Sequence, residues 1–316
     1  MTDSEKYQKA LEYLDKLIEL FPDDWKYYFN RGNAYDNLEN YDAAIADYTK
    51  AIELKPDYDL AYFNRGLVYY HLENCDAAIS DFTKSIELNP DDEFAYYNRG
   101  ITYEDLEKYD AAIADYTKAI EINPDYANAY NNRGLVYHHL EDYDAALADF
   151  NKNIEFHPND ADLYNIRGFI HYHLEDYNAS LADFTKAIKL NHNSALPYVN
   201  RGNFYACLEN YDAAIADFTK AIKINPNYSK AYTNRGGIYV DLKKYDMAIA
   251  DCTKAIKINP NDYFAYFNRG NAYANLENYD LAIVEYTKSI ELNPDFPLAY
   301  QNRERAYKDL KKLKKK

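Results

Sequence analysis

The side chains of this chain with the widest chemical repertoire are its histidines, its cysteines and its recurring charged pairs. His71, His138, His139, His171 and His173 gather on stretches with helical spacing, and clustered imidazoles are the raw material of metal sites and pH-responsive surfaces. His171 stands where the chain otherwise repeats tyrosine and reads as a packing residue; His138, His139 and His173 read as polar groups of a binding surface. Cys75, Cys207 and Cys252 have neither paired nor metal-type spacing, so no disulfide framework and no metal site is expected. Cys75 and Cys252 occupy places that otherwise hold an aromatic, which makes them small core hydrophobes. Glycines occur singly, with no phosphate-cradling run, and no Ser/His/Asp or Cys/His constellation is suggested by placement. The carboxylates recur at regular intervals, so none forms a unique acid–base pair. The chain is expected to need no cofactor and to be no enzyme.

The elements that carry these residues follow one period. The triplet Asn-Arg-Gly, with Ile166 in place of asparagine once, returns every 34 residues without insertion or deletion, with its arginines at Arg31, Arg65, Arg99, Arg133, Arg167, Arg201, Arg235 and Arg269, and Arg303 continuing the series. Such self-similarity outranks every other sequence signal. Eight complete units begin at Trp25 and fill residues 25–296; residues 1–24 match the second half of a unit and residues 297–316 the first half. Each unit reads as two amphipathic helices, for example Leu60–Leu72 and Asp76–Leu88, joined by a short polar turn such as Glu73-Asn74. Proline then ends the second helix (Pro22, Pro56, Pro90, Pro124, Pro158, Pro226, Pro260, Pro294), with His192 as the exception. Glycines from Gly32 to Gly270 fall in mid-helix, where each costs ~1 kcal/mol against alanine. Close approach of the paired helix explains them, with the alanine series Ala44, Ala78 and Ala112 onward as the small opposing surface.

An alanine and an aromatic before the glycine, a tyrosine three residues after it, then Tyr-Asp-x-Ala-Ile, a further aromatic and proline make each unit resemble the tetratricopeptide repeat. The resemblance covers essentially the whole chain. It implies an all-α, right-handed superhelical solenoid of helix-turn-helix repeats whose first helices line a concave surface. Half-units 1–24 and 297–316 are expected to be capping helices over the exposed apolar ends. One departure recurs: where many relatives have leucine before the glycine, this chain has arginine, together with an acid in the second helix (Asp47, Asp81, Asp115, Asp149, Asp183, Asp217, Asp251, Glu285). A ladder of partly buried arginine–carboxylate pairs that sets register is the expectation.

The resemblance also implies which positions face the groove: the second, fifth, sixth, ninth, twelfth and thirteenth of each unit. The fifth carries Phe29, Phe63 and Tyr97, and the ninth Leu67, Ile101, Leu135 and Phe169, a mixture of apolar side chains suited to a contact surface. The sixth repeats as Asn30, Asn64, Asn98, Asn132, Asn200, Asn234 and Asn268, with Asn302 continuing and Ile166 as the one break. A primary amide both donates and accepts, so such a series can hold the backbone of an extended peptide whatever its side chains. Asparagines at the matching place do this in long-repeat relatives. The cations with which chaperone-tail binders grip a carboxylate are missing, since only Lys26 and Lys230 are basic at the second position.

Composition narrows the partner. A net charge of −16 disfavours nucleic acid, and no stretch has the length or apolarity of a membrane span. The N-terminus shows no signal-peptide pattern, so a cytoplasmic location is expected. Lys311, Lys312, Lys314, Lys315 and Lys316 make a basic tail that reads as a solvated helix end. The reading is an interaction scaffold that holds a basic or neutral extended protein segment in its groove. Alternatives are a structural rod that self-associates through its repeat ends as a homo-oligomer, and a targeting or co-chaperone-like adaptor subunit.

Overall fold

The computed structural model describes residues 2–314, so Lys315 and Lys316 of the basic tail lie outside the described residues. These fold into eighteen α-helices. α1 (Asp3–Leu20) is followed by the first and second helices of the eight repeats: α2 (Trp25–Asn37) and α3 (Tyr41–Leu54), α4 (Asp59–His71) and α5 (Cys75–Leu88), α6 (Glu93–Asp105) and α7 (Tyr109–Ile122), α8 (Ala127–His139) and α9 (Tyr143–Phe156), α10 (Ala161–His173) and α11 (Tyr177–Leu190), α12 (Ala195–Cys207) and α13 (Tyr211–Ile224), α14 (Ser229–Asp241) and α15 (Tyr245–Ile258), α16 (Tyr263–Asn275) and α17 (Tyr279–Leu292). α18 (Pro297–Leu313) completes the chain. The helices fall into two compact units, residues 1–157 and 158–316.

Local chemistry places the helix ends. Asp24, Asp92 and Asp160 cap first helices by accepting from the backbone N–H two residues on, which satisfies donors the helix itself leaves open. The turn between paired helices uses a left-handed residue at one fixed place: Glu39, Glu73, Glu107, Glu141, Glu175, Glu209, Lys243 and Glu277 all have φ between 57° and 61°. That geometry lets Asn40 N–H reach back to the Tyr35 carbonyl at 2.9 Å. Side chains with a Cβ occupy this region at a cost of ~1–2 kcal/mol, while glycine enters freely but loses more entropy on folding. Glu141→Gly is therefore expected to stabilise the first unit by about 0.5–1 kcal/mol, seen as a higher denaturant midpoint. His192 shows that proline is dispensable after the second helix, because Asn191 adopts the same extended C-cap (φ −136°, ψ 85°) as Asn89 before Pro90 (φ −135°, ψ 87°).

Within a repeat the two helices meet over the glycine, but its opposing surface is a ring and not the alanine series. A Cβ built on Gly32 would lie 2.8 Å from the Tyr48 ring, on Gly66 2.9 Å from Phe82, and on Gly202 2.8 Å from Phe218. Tyr48, Phe82 and Phe218 are fully buried there, and the alanines Ala44, Ala78 and Ala214 pack into the same cores, also fully buried. Where the ring carries a hydroxyl, an acceptor lies within reach. Tyr48 donates to Asn33 Oδ1 at 2.8 Å, Tyr116 to Glu104 Oε2 at 2.6 Å and Tyr286 to Asn271 Oδ1 at 2.8 Å. In the second, fourth and fifth repeats, where the ninth position is Leu67, Leu135 or Phe169, the ring is phenylalanine, since a buried hydroxyl without a partner is costly. Repeat seven substitutes Cys252, whose thiol burial pushes up to about 12, so it fills space and does not react.

The arginine ladder is complete in all eight repeats. Arg99 Nε and an Nη donate to the two oxygens of Asp115, both at 2.7 Å, and Arg269 with Glu285 forms the longest pair, at 3.0 and 2.9 Å. This fork-to-fork geometry is the strong form of the interaction. The carboxylates are buried throughout. The remaining guanidinium nitrogen reaches the preceding repeat: Arg65 to Thr49 Oγ1, Arg99 to Thr83, Arg133 to Thr117 and Arg235 to Thr219, at 2.8–3.0 Å. Arg31 meets Asp15 of α1 in the same way. Two tyrosines flank the head groups of Arg31, Arg65, Arg99, Arg133 and Arg235, as Tyr28 and Tyr35 do Arg31 at 5.7 and 5.9 Å, within cation–π range, and Tyr164, Tyr205 and Tyr266 stand over Arg167, Arg201 and Arg269. Part of the unusual tyrosine content is thus the sheath of this ladder.

Candidate functional site

In each unit the first helices of consecutive repeats touch one another (α2, α4, α6 and α8; then α10, α12, α14, α16 and α18), and no comparable contact joins consecutive second helices. The first helices therefore form the closed-in side. Positions two, five, six, nine, twelve and thirteen lie on them.

The sixth-position asparagines tie these helices together. Asn64 Nδ2 donates to Asn33 Oδ1 at 2.9 Å, Asn200 to Asn165 at 3.0 Å, Asn234 to Asn203 at 2.7 Å and Asn302 to Asn271 at 2.8 Å. Asn132 reaches the Tyr97 hydroxyl at 3.2 Å and Asn268 the Thr233 carbonyl at 3.4 Å. Asn98 instead turns to Phe94 O of its own helix at 2.8 Å. Asn30, in the first repeat, is exposed. Apart from Asn30 and Asn98, these amides are thus anchored to the preceding first helix by an N–H.

The fifth position packs on the rings of its own repeat. Phe29 packs against Tyr58 and Tyr48 with ring centroids 5.0 and 5.9 Å apart, Phe63 against Phe82 at 5.8 Å, and Tyr97 against Tyr126 and Tyr116 at 4.9 and 5.8 Å. All three are half-buried. The ninth position is more open: Leu67 and Ile101 are half-buried, and Leu135 and Phe169 are exposed at 37% and 38%. Exposed apolar side chains also stand at the second position, including Phe94, Leu196 and Phe264. The histidines do not converge: among the described residues no group of three or more His, Cys, Asp and Glu is placed to hold a metal ion. His171 is half-buried, with Nε2 3.8 Å from Asp183.

The second unit carries three depressions along its first-helix side. One, about 220 Å³, is walled by Phe169 and Tyr172 of α10, Phe184 of α11 and Asn200, Asn203, Phe204 and Cys207 of α12. The next, about 330 Å³, shares Asn203 and Cys207 and adds Asn234, Gly237, Asp241 and Asn268. A third, about 220 Å³, holds Asn271, Asn275, Asn302, Arg305 and Asp309. Sequence reasoning singled out Asn200, Asn234, Asn268 and Phe169 but missed Asn203 and Asn271, whose signal is their recurrence at position nine just where the following repeat has its sixth-position amide. It also missed Phe204, the bulkiest residue of the tenth-position series. Burial holds the carboxyls of Asp36 and Asp241 above the usual range, so this side bears acids in partly desolvated settings. No helix among the described residues is long and apolar enough to cross a membrane.

Paired helices repeated in tandem, with one helix of each pair on a common amide-lined side, define a helical-repeat scaffold. The chain belongs to the tetratricopeptide repeat family: that family's profiles match residues 25–58, 60–92, 94–126, 127–160, 161–193, 195–228, 229–262 and 263–296. As a member it is a protein-interaction scaffold. Among solved structures it is similar to a tetratricopeptide repeat protein from Parabacteroides merdae (TM-score 0.64, 18% identity, 79% of this chain and 98% of that one). It is also similar to a chain of the APC/C hetero-tetramer Cut9-Hcn1 (TM-score 0.60, 17% identity, 95% of this chain), of which it spans 59%. These likenesses establish the fold alone. The comparison with curated proteins finds no match.

Proposed function

We propose that this chain holds an extended segment of a partner protein against its first helices, with the sixth-position asparagines as a main-chain clamp. The supporting observation is that Asn200, Asn234, Asn268 and Asn302 line the three depressions of the second unit. An amide has two N–H donors and a carbonyl oxygen with two lone pairs, so one bond to the preceding helix fixes its direction and leaves a donor and an acceptor for a peptide group. The seam bonds orient the clamp in advance, which lowers the entropy lost on binding. A net charge of −16 with Asp36 and Asp241 on this side suits a basic or neutral segment.

The test is a peptide array probed with the intact protein, repeated with Asn98→Ala/Asn132→Ala and with Asn200→Ala/Asn234→Ala. Each lost hydrogen bond is worth ~0.5–1.5 kcal/mol, so each pair is expected to weaken binding about tenfold. Unchanged affinity of every detected peptide in both doubles would refute the clamp. Thermal midpoints recorded in parallel separate this loss from the loss of seam bonds.

A further inference from the structure

We infer that the second unit selects its ligand through a side-chain pocket at Phe169 and Phe204 beside an acidic subsite at Asp241, so that the occupant is an extended protein segment carrying one large apolar residue and, within a few positions, a lysine or arginine. This rests on the groove reading above and assigns it a specificity.

The pocket is peculiar to this place in the array. The ninth position is aromatic only at Phe169, and the tenth, elsewhere alanine, threonine, valine or isoleucine, is phenylalanine only at Phe204. Phe204 is buried and fixed by Tyr172 and Tyr177, at centroid distances of 6.4 and 6.1 Å, while Phe169 stands 38% exposed at the rim. Tyr172 donates its hydroxyl to Cys207 Sγ at 3.2 Å, so its polar end is already paired within the wall. At about 220 Å³ the space suits a single side chain; small-molecule sites are usually ~300–1,000 Å³.

The neighbouring depression differs by one charged group at its edge. Gly237 supplies no side chain, so the Asn268 amide lies 3.1 Å from where a Cβ would stand, and the space opens onto Asp241. Asp241 forms no ion pair with a cation of the described residues, and burial holds its carboxyl above the usual range. A partly desolvated carboxylate without a cation is stabilised by a ligand that brings one. Asn203 and Cys207 border both depressions, so a single extended strand passes from the apolar pocket to the acidic one.

Cys207 supplies a readout that needs no prior ligand. Of the three cysteines only it is exposed, so its alkylation rate reports occupancy of both depressions. The probes are peptides in a Gly-Ser background with one Phe, Leu or Ala and one Arg or Glu at varied spacing, added to the full chain. Peptides with Phe or Leu and Arg are expected to slow Cys207 alkylation and to bind about tenfold more tightly than their Ala or Glu counterparts. Phe169→Ala should abolish the Phe-over-Ala preference, and Asp241→Lys should reverse the Arg-over-Glu preference; both side chains are exposed, so the fold tolerates the changes. Peptides that bind without discriminating Phe from Ala, or Arg from Glu, would overturn the assigned specificity while leaving the groove reading intact. Absence of Cys207 protection by every peptide overturns both. Protection that grows with protein concentration alone places a second copy in the pocket and overturns the proposal as well.

Discussion

Asp115→Asn is expected to destabilise the third repeat by about 3–5 kcal/mol, the loss typical when one member of a buried ion pair is removed. Arg99 makes two 2.7 Å bonds to Asp115 and a 3.0 Å bond to Thr83, and its head group is flanked by Tyr96 and Tyr103 at 5.7 and 5.9 Å. Burial alone would lower its basicity, but the hydrogen bonds and charge of Asp115 more than offset this and hold the guanidinium above its ordinary value. With asparagine opposite, an amide NH₂ faces the guanidinium and the cation is left desolvated without a counter-charge. The double change Arg99→Leu/Asp115→Leu removes both charges and fills their space, and is expected to return stability to within about 1 kcal/mol of the starting protein, since a buried pair is close to neutral against apolar residues of similar volume. Stacked repeats open locally, so amide exchange in α6 and α7 is the right measurement, with α16 and α17 as the internal reference. Equal stability of the single and double variants would mean that the ladder is a set of solvated charges. A pair near neutral in stability contributes register instead: each guanidinium donates to a carboxylate at its own height, and those of Arg65, Arg99, Arg133 and Arg235 also to a threonine of the repeat before.

The two glycines of successive positions in α14 and its neighbour illustrate the second large effect, because alanine should act in opposite directions at Gly202 and Gly237. At Gly202 the new Cβ would stand 2.8 Å from the Phe218 ring, which is fully buried. Overpacking of this kind costs ~1–3 kcal/mol, against ~1 kcal/mol recovered by replacing a mid-helix glycine, so a net loss of up to about 2 kcal/mol is expected. At Gly237 the nearest atom is the Asn268 amide nitrogen at 3.1 Å, the end of a side chain that can turn aside. The helix preference then prevails and stability rises by up to about 1 kcal/mol. The displaced amide leaves the depression that Asn268 lines, so the more stable Gly237→Ala protein is expected to bind peptide less tightly. Denaturant midpoints of the two variants that shift in the same direction would contradict this account.

Much of the ladder and the helix pairs was legible in the sequence because both depend on relations inside one repeat. Sixteen positions separate Arg31 from Asp47, as they do in each later pair down to Arg269 and Glu285, and a constant spacing between two amphipathic helices joined by a fixed turn brings the same faces together every time. The ends of the second helices followed from the prolines after them, a local effect with a local signal. The left-handed glutamates were not legible, since glutamate has no preference for that region and is held there only by the bonds closing the turn.

The sequence by itself determined the period, the helix pairs, the arginine–carboxylate partners and the asparagine series on the first helices, because each is set by the 3.6-residue helical turn or by an interval counted along one chain. Tertiary structure alone decided that the glycines oppose rings, that fifth-position aromatics pack on the rings of their own repeat, that most of the sixth-position amides are anchored to the preceding first helix, and that Phe169 and Phe204 leave a pocket beside Asp241. These depend on how closely the helices approach, within a repeat and from one repeat to the next. That separation is set by the volumes of buried side chains such as Tyr48, Phe218 and Cys252, and volume, unlike period, is not written at a fixed spacing.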